Sequence, residues 1–323
     1  MRRLWLFALL PLLGATPIAT PVVKLPSHDH LVRLIVTGDA GSTHSQLRAG
    51  ILAVQKKQPI DGIVLVGDNF YPCGVTSLDD PQWSKITQHF GPANVPIFAI
   101  LGNHDYGDPS PPAGLPKTTC GGANPAAEIA ANAKVAHWVL PSRHYVVAND
   151  LADLEMIDSQ PIASGWKEGF LGSDTAGEEE SWLTNELDHA RARWRIVVGH
   201  HTIYSSGTHG RANEANQRNM RKLLPLFERE HVDVYVCGHD HDMELIGDLH
   251  RHDEPLFLVS GAGSGLDEMK PRTRADEPRT LWSPMPEKPF FGFALLEITR
   301  SQLAVTFFDA NGVARSGRFV LRK

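Results

Sequence analysis

Five apolar, β-favouring runs in this chain each end in a glycine that is followed at once by a residue of a metal-ligand type. The runs are LVRLIVTGDAG, GIVLVGDNFY, PIFAILGNHD, RWRIVVGHH and VDVYVCGHDH. A buried strand followed by a glycine turn is where an α/β fold presents its chemistry, at the carboxyl ends of its strands. One such turn is ordinary, whereas five with this residue set predict a site for two metal ions. The predicted ligands are Asp39, Asp68, Tyr71, Asn103, His200, His239 and His241.

The donor types restrict the metals that the site suits. Asp68 has two carboxylate oxygens and can bridge two ions. His239 and His241 alternate along an extended backbone, so a twist in the turn can aim them at neighbouring ions. Imidazole suits Zn, Fe, Mn and Ni, while carboxylate and phenolate are hard anionic donors that favour Fe(III). An Fe(III)–M(II) pair with a bound hydroxide would leave this donor set slightly positive, which matches a phosphate ester.

Composition and net charge limit the classes of molecule that the protein can be expected to bind. The 323-residue chain has 42% hydrophobic and 21% charged residues, an ordinary balance for a soluble globular protein with ample length for a core. Its net charge of −6 provides no basic footprint for a nucleic-acid duplex or an anionic membrane. We therefore expect a small substrate and no duplex partner. The oligomeric state is open, with a monomer as the expectation.

The order of predicted elements indicates an α/β fold. Strands at 31–37, 62–66 and 96–101 alternate with helices near 45–58 and 80–90, which predicts βαβ units with parallel strands. Further strands are predicted at 144–148, 153–157, 195–198, 232–237 and 256–263, and further helices near 177–193 and 212–230. The tail predicts three antiparallel strands with a turn at Asn311-Gly312. Two mixed sheets with helices outside them predict a four-layer α/β/β/α sandwich.

The amino terminus reads as a targeting segment. Arg2 and Arg3 precede the apolar stretch LWLFALLPLLGA and then small residues, which is typical of a secretory signal peptide over residues 1–20. A membrane anchor is the alternative, but the stretch is short for a span of ~20 residues and contains Pro11. We expect a flexible lead-in over 21–30 and a single domain over 31–323. The protein would then be secreted or periplasmic, without membrane attachment after cleavage.

Residues 107–134 break the alternation of strand and helix. They are rich in Pro, Gly and Ala and follow a metal motif directly, so we expect them to form part of the rim of the site, with a mobile surface insert as the alternative.

Cys73 and Cys120 lie in loops beside metal motifs. We hypothesise that they pair in an oxidising compartment and pin a loop near the site. Cys237 ends an apolar run and is expected to be a buried, inert thiol.

The five blocks resemble the GDxG, GDxxY, GNH(D/E), VxxH and GHxH motifs of the metallophosphoesterase superfamily and, within it, of the purple acid phosphatases. They read Gly38-Asp39-Ala40-Gly41, Gly67-Asp68-Asn69-Phe70-Tyr71, Gly102-Asn103-His104-Asp105, Val197-Val198-Gly199-His200 and Gly238-His239-Asp240-His241. The match spans residues 33–242 and is most similar to the small, single-domain, tartrate-resistant type. WVLPSRHY, EEESWLTNEL, LVSGAGSG and FFGFALLEIT extend the resemblance to about residue 300. The tyrosine supports the purple acid phosphatases, because many metallophosphoesterases lack it at this position.

The resemblance implies an assignment of ligands to two ions, with Asp68 bridging them. The ferric ion would be held by Asp39, Asp68, Tyr71 and His241. The divalent ion, which would be Fe, Zn or Mn, would be held by Asp68, Asn103, His200 and His239. A tyrosinate bound to Fe(III) also implies a purple or pink colour.

Two further histidines are implied as catalytic. His104 would contact the phosphate and the leaving group, and His209, in TIYSSGTHG, would face the substrate. Related enzymes often carry an acidic residue before this second histidine, and Thr208 stands there instead. This difference bears on the pKa of His209 and hence on any preference for acid pH. Asp105 could orient His104 by accepting its ring N–H.

The implied function is a secreted, dinuclear metal-dependent phosphatase of the acid phosphatase type. It would hydrolyse phosphate monoesters by direct attack of metal-bound hydroxide on phosphorus. A phosphodiesterase or nucleotide-cleaving enzyme that uses the same site is the alternative, and the pocket rim would decide between them. A third reading is a metallophosphoesterase-like scaffold that has lost catalysis and binds partners. Such a chain should have gaps in its ligand set, and this chain has none.

Overall fold

Two mixed β-sheets lie face to face in a computed structural model of the chain, with helices on the outer side of each sheet. The structure describes residues 19–42, 46–107, 122–167, 175–211, 215–270, 277–284 and 288–323. The predicted signal peptide, apart from its last two residues, therefore lies outside the described residues.

The strands and helices of the described residues agree closely with the main elements predicted from the sequence. The strands are β1 Val22–Lys24, β2 Val32–Thr37, β3 Gly62–Leu65, β4 Ile97–Ala99, β5 Trp138–Val139, β6 Tyr145–Ala148, β7 Ala152–Met156, β8 Trp194–Val198, β9 Val234–Cys237, β10 Met243–Ile246, β11 Leu256–Ser260, β12 Thr280–Trp282, β13 Gly292–Ile298, β14 Gln302–Asp309 and β15 Phe319–Arg322. The helices are α1 Leu47–Lys57, α2 Trp83–His89, α3 Pro125–Ala130, α4 Ser159–Ser164, α5 Ala176–His189, α6 Thr208–Arg211, α7 Ala215–Met220 and α8 Leu224–Arg229. Sequence reasoning missed the strands β1, β5, β10 and β12 and the short helices α3, α4 and α6, none of which has a periodic pattern long enough to mark it.

The sheet topology brings the glycine turns together. One sheet has the strand order β15-β14-β13-β2-β3-β4-β5, and the other has the order β1-β6-β7-β8-β9-β11-β10-β12. The neighbours β2, β3 and β4 are parallel, as are β7, β8, β9 and β11. The strands β13, β14 and β15 are antiparallel, as predicted for the tail. Because parallel strands end at the same edge of a sheet, three turns lie together on one sheet and two on the other.

The core lies between the two sheets. A single cluster of buried apolar side chains joins them, with Leu34 and Val64 from one sheet and Leu154 and Val236 from the other. A second cluster lies between the eight-stranded sheet and helices α4, α5, α7 and α8. On the other side, α1 packs against β13 and β14. The predicted sandwich of two mixed sheets flanked by helices is therefore confirmed.

Helix ends follow from the local sequence. Helix α5 begins at a capping box in which Thr175 and Glu178 exchange hydrogen bonds between side chain and backbone. The single helix predicted over 212–230 is instead divided into α7, a short 3-10 segment at Arg221–Leu223 and α8. Pro225 lies in the first turn of α8, where its missing N–H is tolerated. Within a continuous helix it would clash with the carbonyl four residues earlier.

The three cysteines differ in state. Cys73 is disulfide-bonded, whereas Cys237 is free and buried, as expected. Cys120, the partner predicted for Cys73, lies outside the described residues, so this pairing stays a prediction.

Residues 21–30 are not the flexible lead-in that the sequence predicts. Val22–Lys24 form β1, which pairs in parallel with β6 at the edge of the eight-stranded sheet. The Leu25 N–H donates to the carbonyl of Ala148 at 2.8 Å, and the Leu25 side chain is 1% exposed. Backbone pairing to a distant strand and burial of one leucine order this segment, and neither is visible in local composition.

The burial of Leu25 should make a measurable contribution to stability. We expect Leu25→Ala to lower the free energy of unfolding by about 2–5 kcal/mol, because it removes a buried side chain and leaves a cavity. The matched control is Val22→Ala in the adjoining strand β1, where the side chain is 68% exposed and the change should stay within about 0.5 kcal/mol. Urea unfolding curves give both values. Equal, small effects of the two substitutions would mean that the segment is not packed.

Candidate metal centre

Three of the glycine turns place a residue with a side chain in the left-handed region of backbone conformation. The φ angles are +55° at Asp39, +52° at Asp68 and +67° at His239. This conformation is uncommon outside glycine and persists where the surrounding structure enforces it. The space beside the Asp68 turn is also restricted, because a Cβ atom at Gly102 would overlap the carboxylate of Asp68. The turns are therefore built around the side chains that they present.

Three donor atoms converge around the phenol oxygen of Tyr71, which is itself the fourth donor of the set. This oxygen lies 3.1 Å from Asp39 Oδ1, 2.8 Å from Asp68 Oδ2 and 3.1 Å from His241 Nε2. His241 Nε2 also lies 3.6 Å from Asp39 Oδ1. We call this set the tyrosine group.

A second set of four donor atoms comprises the amide oxygen of Asn103, two imidazole nitrogens and one oxygen of Asp68. Asn103 Oδ1 lies 3.0 Å from both His200 Nε2 and His239 Nδ1, and the two ring nitrogens are 3.2 Å apart. His200 Nε2 is 3.4 Å from Asp68 Oδ1. We call this set the asparagine group. Asp68 belongs to both groups, with one carboxylate oxygen in each.

These spacings suit metal ions. Ligand atoms at about 2.0–2.2 Å from one ion lie roughly 3–3.5 Å from each other. The distances within each group fall close to this range, and ligand atoms of Asp39, Asp68 and His200 lie within 4.8 Å of one another across the two groups. Each group could therefore hold one ion, with Asp68 between the two.

Burial makes the anionic donors depend on a compensating positive charge. Burial, followed by the nearby charge of Asp68, raises the pKa of Asp39 well above its ordinary value. Burial, followed by Asp39 and Asp68, likewise raises the pKa of Tyr71. Ionised carboxylate and phenolate packed this closely are unfavourable unless a cation neutralises them. The charges of these residues thus fit a bound metal.

The histidines of the two groups are suited to bind as neutral rings. Burial lowers the pKa of His200, His239 and His241, which favours the uncharged imidazole that metals require. His200 Nδ1 lies 2.8 Å from the carbonyl of Val66, to which it donates. Its proton is thereby placed on Nδ1, and the lone pair on Nε2 faces Asn103 and Asp68.

His104 lies at the edge of the tyrosine group. Its Nε2 is 4.0 Å from Asp68 Oδ2, and its ring stacks at a tilt against Tyr71 with 4.5 Å between centroids. Its Nδ1 lies 2.6 Å from the carbonyl of Pro72 and donates to it. The expectation that Asp105 accepts this ring N–H is therefore wrong, because a backbone carbonyl takes that role.

Asp105 instead holds the neighbouring turns from behind. Its carboxylate accepts N–H bonds from the backbone of Asn69, Phe70 and Gly102 at 2.9–3.2 Å. The amide of Asn69 also donates to Glu128 at 3.2 Å, and Glu128 is fully buried. Glu128 belongs to the segment expected at the rim, yet it lies beneath the turns. No sequence pattern marks Asn69 or Glu128, since their roles arise from contacts between distant segments.

His209 lies beside the asparagine group. Its ring centroid is 4.2 Å from that of His239, and its backbone N–H donates to Asp240 Oδ1 at 2.7 Å. Asp240 thus places a carboxylate next to His209 from another loop, whereas Thr208 is exposed. The structure brings all nine predicted site residues together at the facing edges of the two sheets.

The chain matches the calcineurin-like phosphoesterase family over residues 32–243. It is 30% identical to purple acid phosphatase 4 of Arabidopsis thaliana, over 90% of this chain and 84% of that protein. It is 27% identical to human tartrate-resistant acid phosphatase type 5, over 78% of this chain and 76% of that protein. The chain belongs to the purple acid phosphatases.

Two solved structures share the fold with this purple acid phosphatase. GAP50, described as the anchor in the inner membrane complex of Plasmodium, has a TM-score of 0.70 and 22% identity, over 91% of this chain and 89% of that chain. Purple acid phosphatase PPD1 from yellow lupin seeds has a TM-score of 0.65 and 18% identity, over 90% of this chain and 54% of that chain. At these identities the similarity shows the fold alone.

The general type of reaction follows from membership of this family. The chain is a metal-dependent phosphoric monoester hydrolase of the acid phosphatase type. Its relatives imply a dinuclear metal centre, and the two donor groups that share Asp68 fit one.

The shared carboxylate predicts the effect of its removal. We expect Asp68→Asn to lose ions from both groups and to lower kcat at least about 10²-fold, because an amide offers only one neutral oxygen. Asp39→Asn should affect mainly the tyrosine group, and Asp79→Asn, at an exposed position, is the control. Elemental analysis and hydrolysis of p-nitrophenyl phosphate measure both effects. An Asp68→Asn protein with full metal content and activity would rule out the bridge.

Burial of the anionic donors predicts how metal binding depends on pH. A carboxyl with a raised pKa, such as Asp39, contributes stability at low pH that is lost as the pH rises through its native value. A bound cation requires the ionised form, so its stabilising effect grows as the pH rises. We therefore expect metal to raise the melting temperature more at pH 7 than at pH 5. Calorimetry of loaded and chelator-treated protein tests this, and an equal or smaller gain at pH 7 would contradict it.

Proposed function

We propose that this protein is a secreted phosphatase that hydrolyses phosphate monoesters with an Fe(III) ion and a divalent Fe, Zn or Mn ion. One observation carries the proposal. Two groups of four donor atoms, each with internal distances near 3 Å, share the two oxygens of Asp68. A dinuclear centre of this kind suits a phosphate ester, whose oxygens can contact both ions.

The donor sets differ in hardness, and this supports different ions in the two groups. The tyrosine group, with two carboxylates, a phenol and one imidazole, suits Fe(III). The asparagine group, with a shared carboxylate, an amide oxygen and two imidazoles, suits a divalent ion. The assignment places Asp39, Asp68, Tyr71 and His241 on the ferric ion. It places Asp68, Asn103, His200 and His239 on the divalent ion.

The residues of the chain orient the substrate and supply a proton. When bound, the two ions would supply positive charge to the phosphate and acidify a water molecule for in-line attack on phosphorus. His104 is held by Pro72 through Nδ1, so Nε2 faces the site. As an imidazolium, with a proton on each nitrogen, the ring can donate from Nε2 to a phosphate oxygen or protonate the departing alkoxide. General acid catalysis of this kind contributes about 10²–10⁴-fold in rate.

His209 is the second candidate for substrate contact. It lies next to His239 in the asparagine group, whereas His104 lies next to Tyr71 in the tyrosine group. The two histidines therefore flank the centre from its two halves. Asp240 accepts the backbone N–H groups of His209 and Gly210, which holds this loop in place.

Location and partners form a further part of the proposal. The Arg2-Arg3 start and the apolar stretch after it support export to a periplasm or the medium. Among the helices of the described residues, none has both the length and the apolar character needed to cross a membrane. The proposed partner is a small phosphate ester, with no nucleic-acid duplex and with a monomer as the working state.

A single preparation tests the activity and the iron together. We expect purified protein loaded with iron and zinc to show a visible charge-transfer band and to hydrolyse p-nitrophenyl phosphate faster than bis(p-nitrophenyl) phosphate. Tyr71→Phe is the control for the band, because it removes the phenolate and keeps the ring. It should abolish the colour more completely than it lowers hydrolysis.

Each other outcome supports a different reading. Faster cleavage of the diester would favour the phosphodiesterase alternative on the same centre. Metal-replete protein without activity on either ester would favour a binding scaffold. A loaded protein without a tyrosine-dependent band would exclude Fe(III) on Tyr71.

A further inference from the structure

The hydroxyl of Ser159 lies at the turn that presents His200. Its Oγ accepts the backbone N–H of His200 at 2.9 Å and that of His201 at 3.1 Å. The same Oγ lies 2.9 Å from Nδ1 of His201. Ser159 is 0% exposed and His201 is 1% exposed, so water does not compete for these bonds.

The hydrogen-bond count fixes the direction of each bond. A serine hydroxyl has one donor and two acceptor positions. Backbone N–H groups can only donate, so the bonds from His200 and His201 fill both acceptor positions. The O–H of Ser159 must then donate to Nδ1 of His201, and the proton of this neutral ring is on Nε2. All three capacities of the hydroxyl are therefore used.

The ring that Ser159 orients touches both histidines of the asparagine group. The centroid of the His201 ring lies 5.1 Å from that of His200 and 4.6 Å from that of His239. The sequence motifs assign no role to His201. In this position the ring of His201 packs against the rings of both His200 and His239.

Ser159 is itself held firmly by the start of α4. Asp158 caps this helix by accepting the N–H of Gln160, and Tyr106 donates to the same carboxylate. The N–H of Asp158 donates to Glu179 of α5 at 2.9 Å. The position of the hydroxyl is thus set by contacts with two other segments of the chain.

The tyrosine group has different supports. Ser264 Oγ donates to the carbonyl of Asp39 at 2.5 Å, and Lys85 Nζ donates to the carbonyl of Tyr71 at 3.0 Å. The N–H of His241 donates to Asp267 at 3.0 Å. These three supports do not involve Ser159, and the two donor groups also meet where the backbone N–H of His239 donates to Asp39 Oδ2 at 3.0 Å.

We infer that Ser159, acting through His201, is a positioning residue that selectively sets the affinity of the asparagine group for its divalent ion. The inference rests on the proposed dinuclear centre. Partners that orient metal ligands in this way typically change metal affinity by about 10–100-fold when removed. His200 keeps its ring bond to Val66 in such a variant, so its binding should weaken rather than vanish.

The test compares Ser159→Ala with Ser164→Ala. The control is the same substitution in the same helix, at an exposed serine whose Oγ accepts only a side-chain bond from Gln160 among its described contacts. Competition with a chelator measures Zn²⁺ affinity, and the visible band reports iron on Tyr71. We expect Ser159→Ala to bind Zn²⁺ about 10–100-fold more weakly with an unchanged band, and Ser164→Ala to match the wild type.

A second pair of variants guards against general misfolding. His201→Asn keeps an acceptor near the position of Nδ1, whereas His201→Phe removes it, so only the phenylalanine variant should weaken Zn²⁺ binding as Ser159→Ala does. Equal loss of iron and zinc in Ser159→Ala, or unchanged affinity for both, would overturn the inference. A wild-type protein that binds neither metal would instead overturn the proposed function.

Discussion

The carboxylate of Asp68 is the constraint on which the rest of this site depends. Its Oδ2 lies 2.8 Å from the phenol of Tyr71, and its Oδ1 lies 3.4 Å from His200. Tyr71 comes from the same turn, whereas His200 comes from the turn that follows β8 in the other sheet. A single buried carboxylate thus joins the two sheets, and its position depends on how closely their edges approach each other.

That dependence explains why the core and the site belong together. The apolar cluster between the sheets holds their strand ends at a fixed separation, because close-packed side chains resist sliding. The turns then supply backbone conformations that ordinary strands do not, with positive φ at Asp39, Asp68 and His239. Such strain and such concentrated buried charge are unfavourable for the metal-free fold, and bound cations would offset them.

The metal ligands could be predicted from the sequence because each one lies in a short local motif. Each strand, glycine and ligand lies within about ten residues, and a buried strand followed by a sharp turn is recognisable from periodicity and residue type. The residues that hold these motifs in place through hydrogen bonds could not be predicted in the same way. Glu128 lies in a Pro- and Gly-rich segment, and Ser159 starts a short helix between two strands. Both act on turns distant in sequence, and a lone serine or glutamate carries no pattern.

The sequence alone determined the order of the main strands and helices, the two-sheet architecture and the identity of the nine residues that converge. These features follow from the types of side chain and their spacing, both of which are given by the sequence. Only the tertiary structure decided that Asp68 gives one oxygen to each donor group, that Pro72 rather than Asp105 holds His104, and that residues 22–24 pair with β6. Those outcomes depend on distances between segments far apart in the chain, and such distances are set by packing of the whole domain.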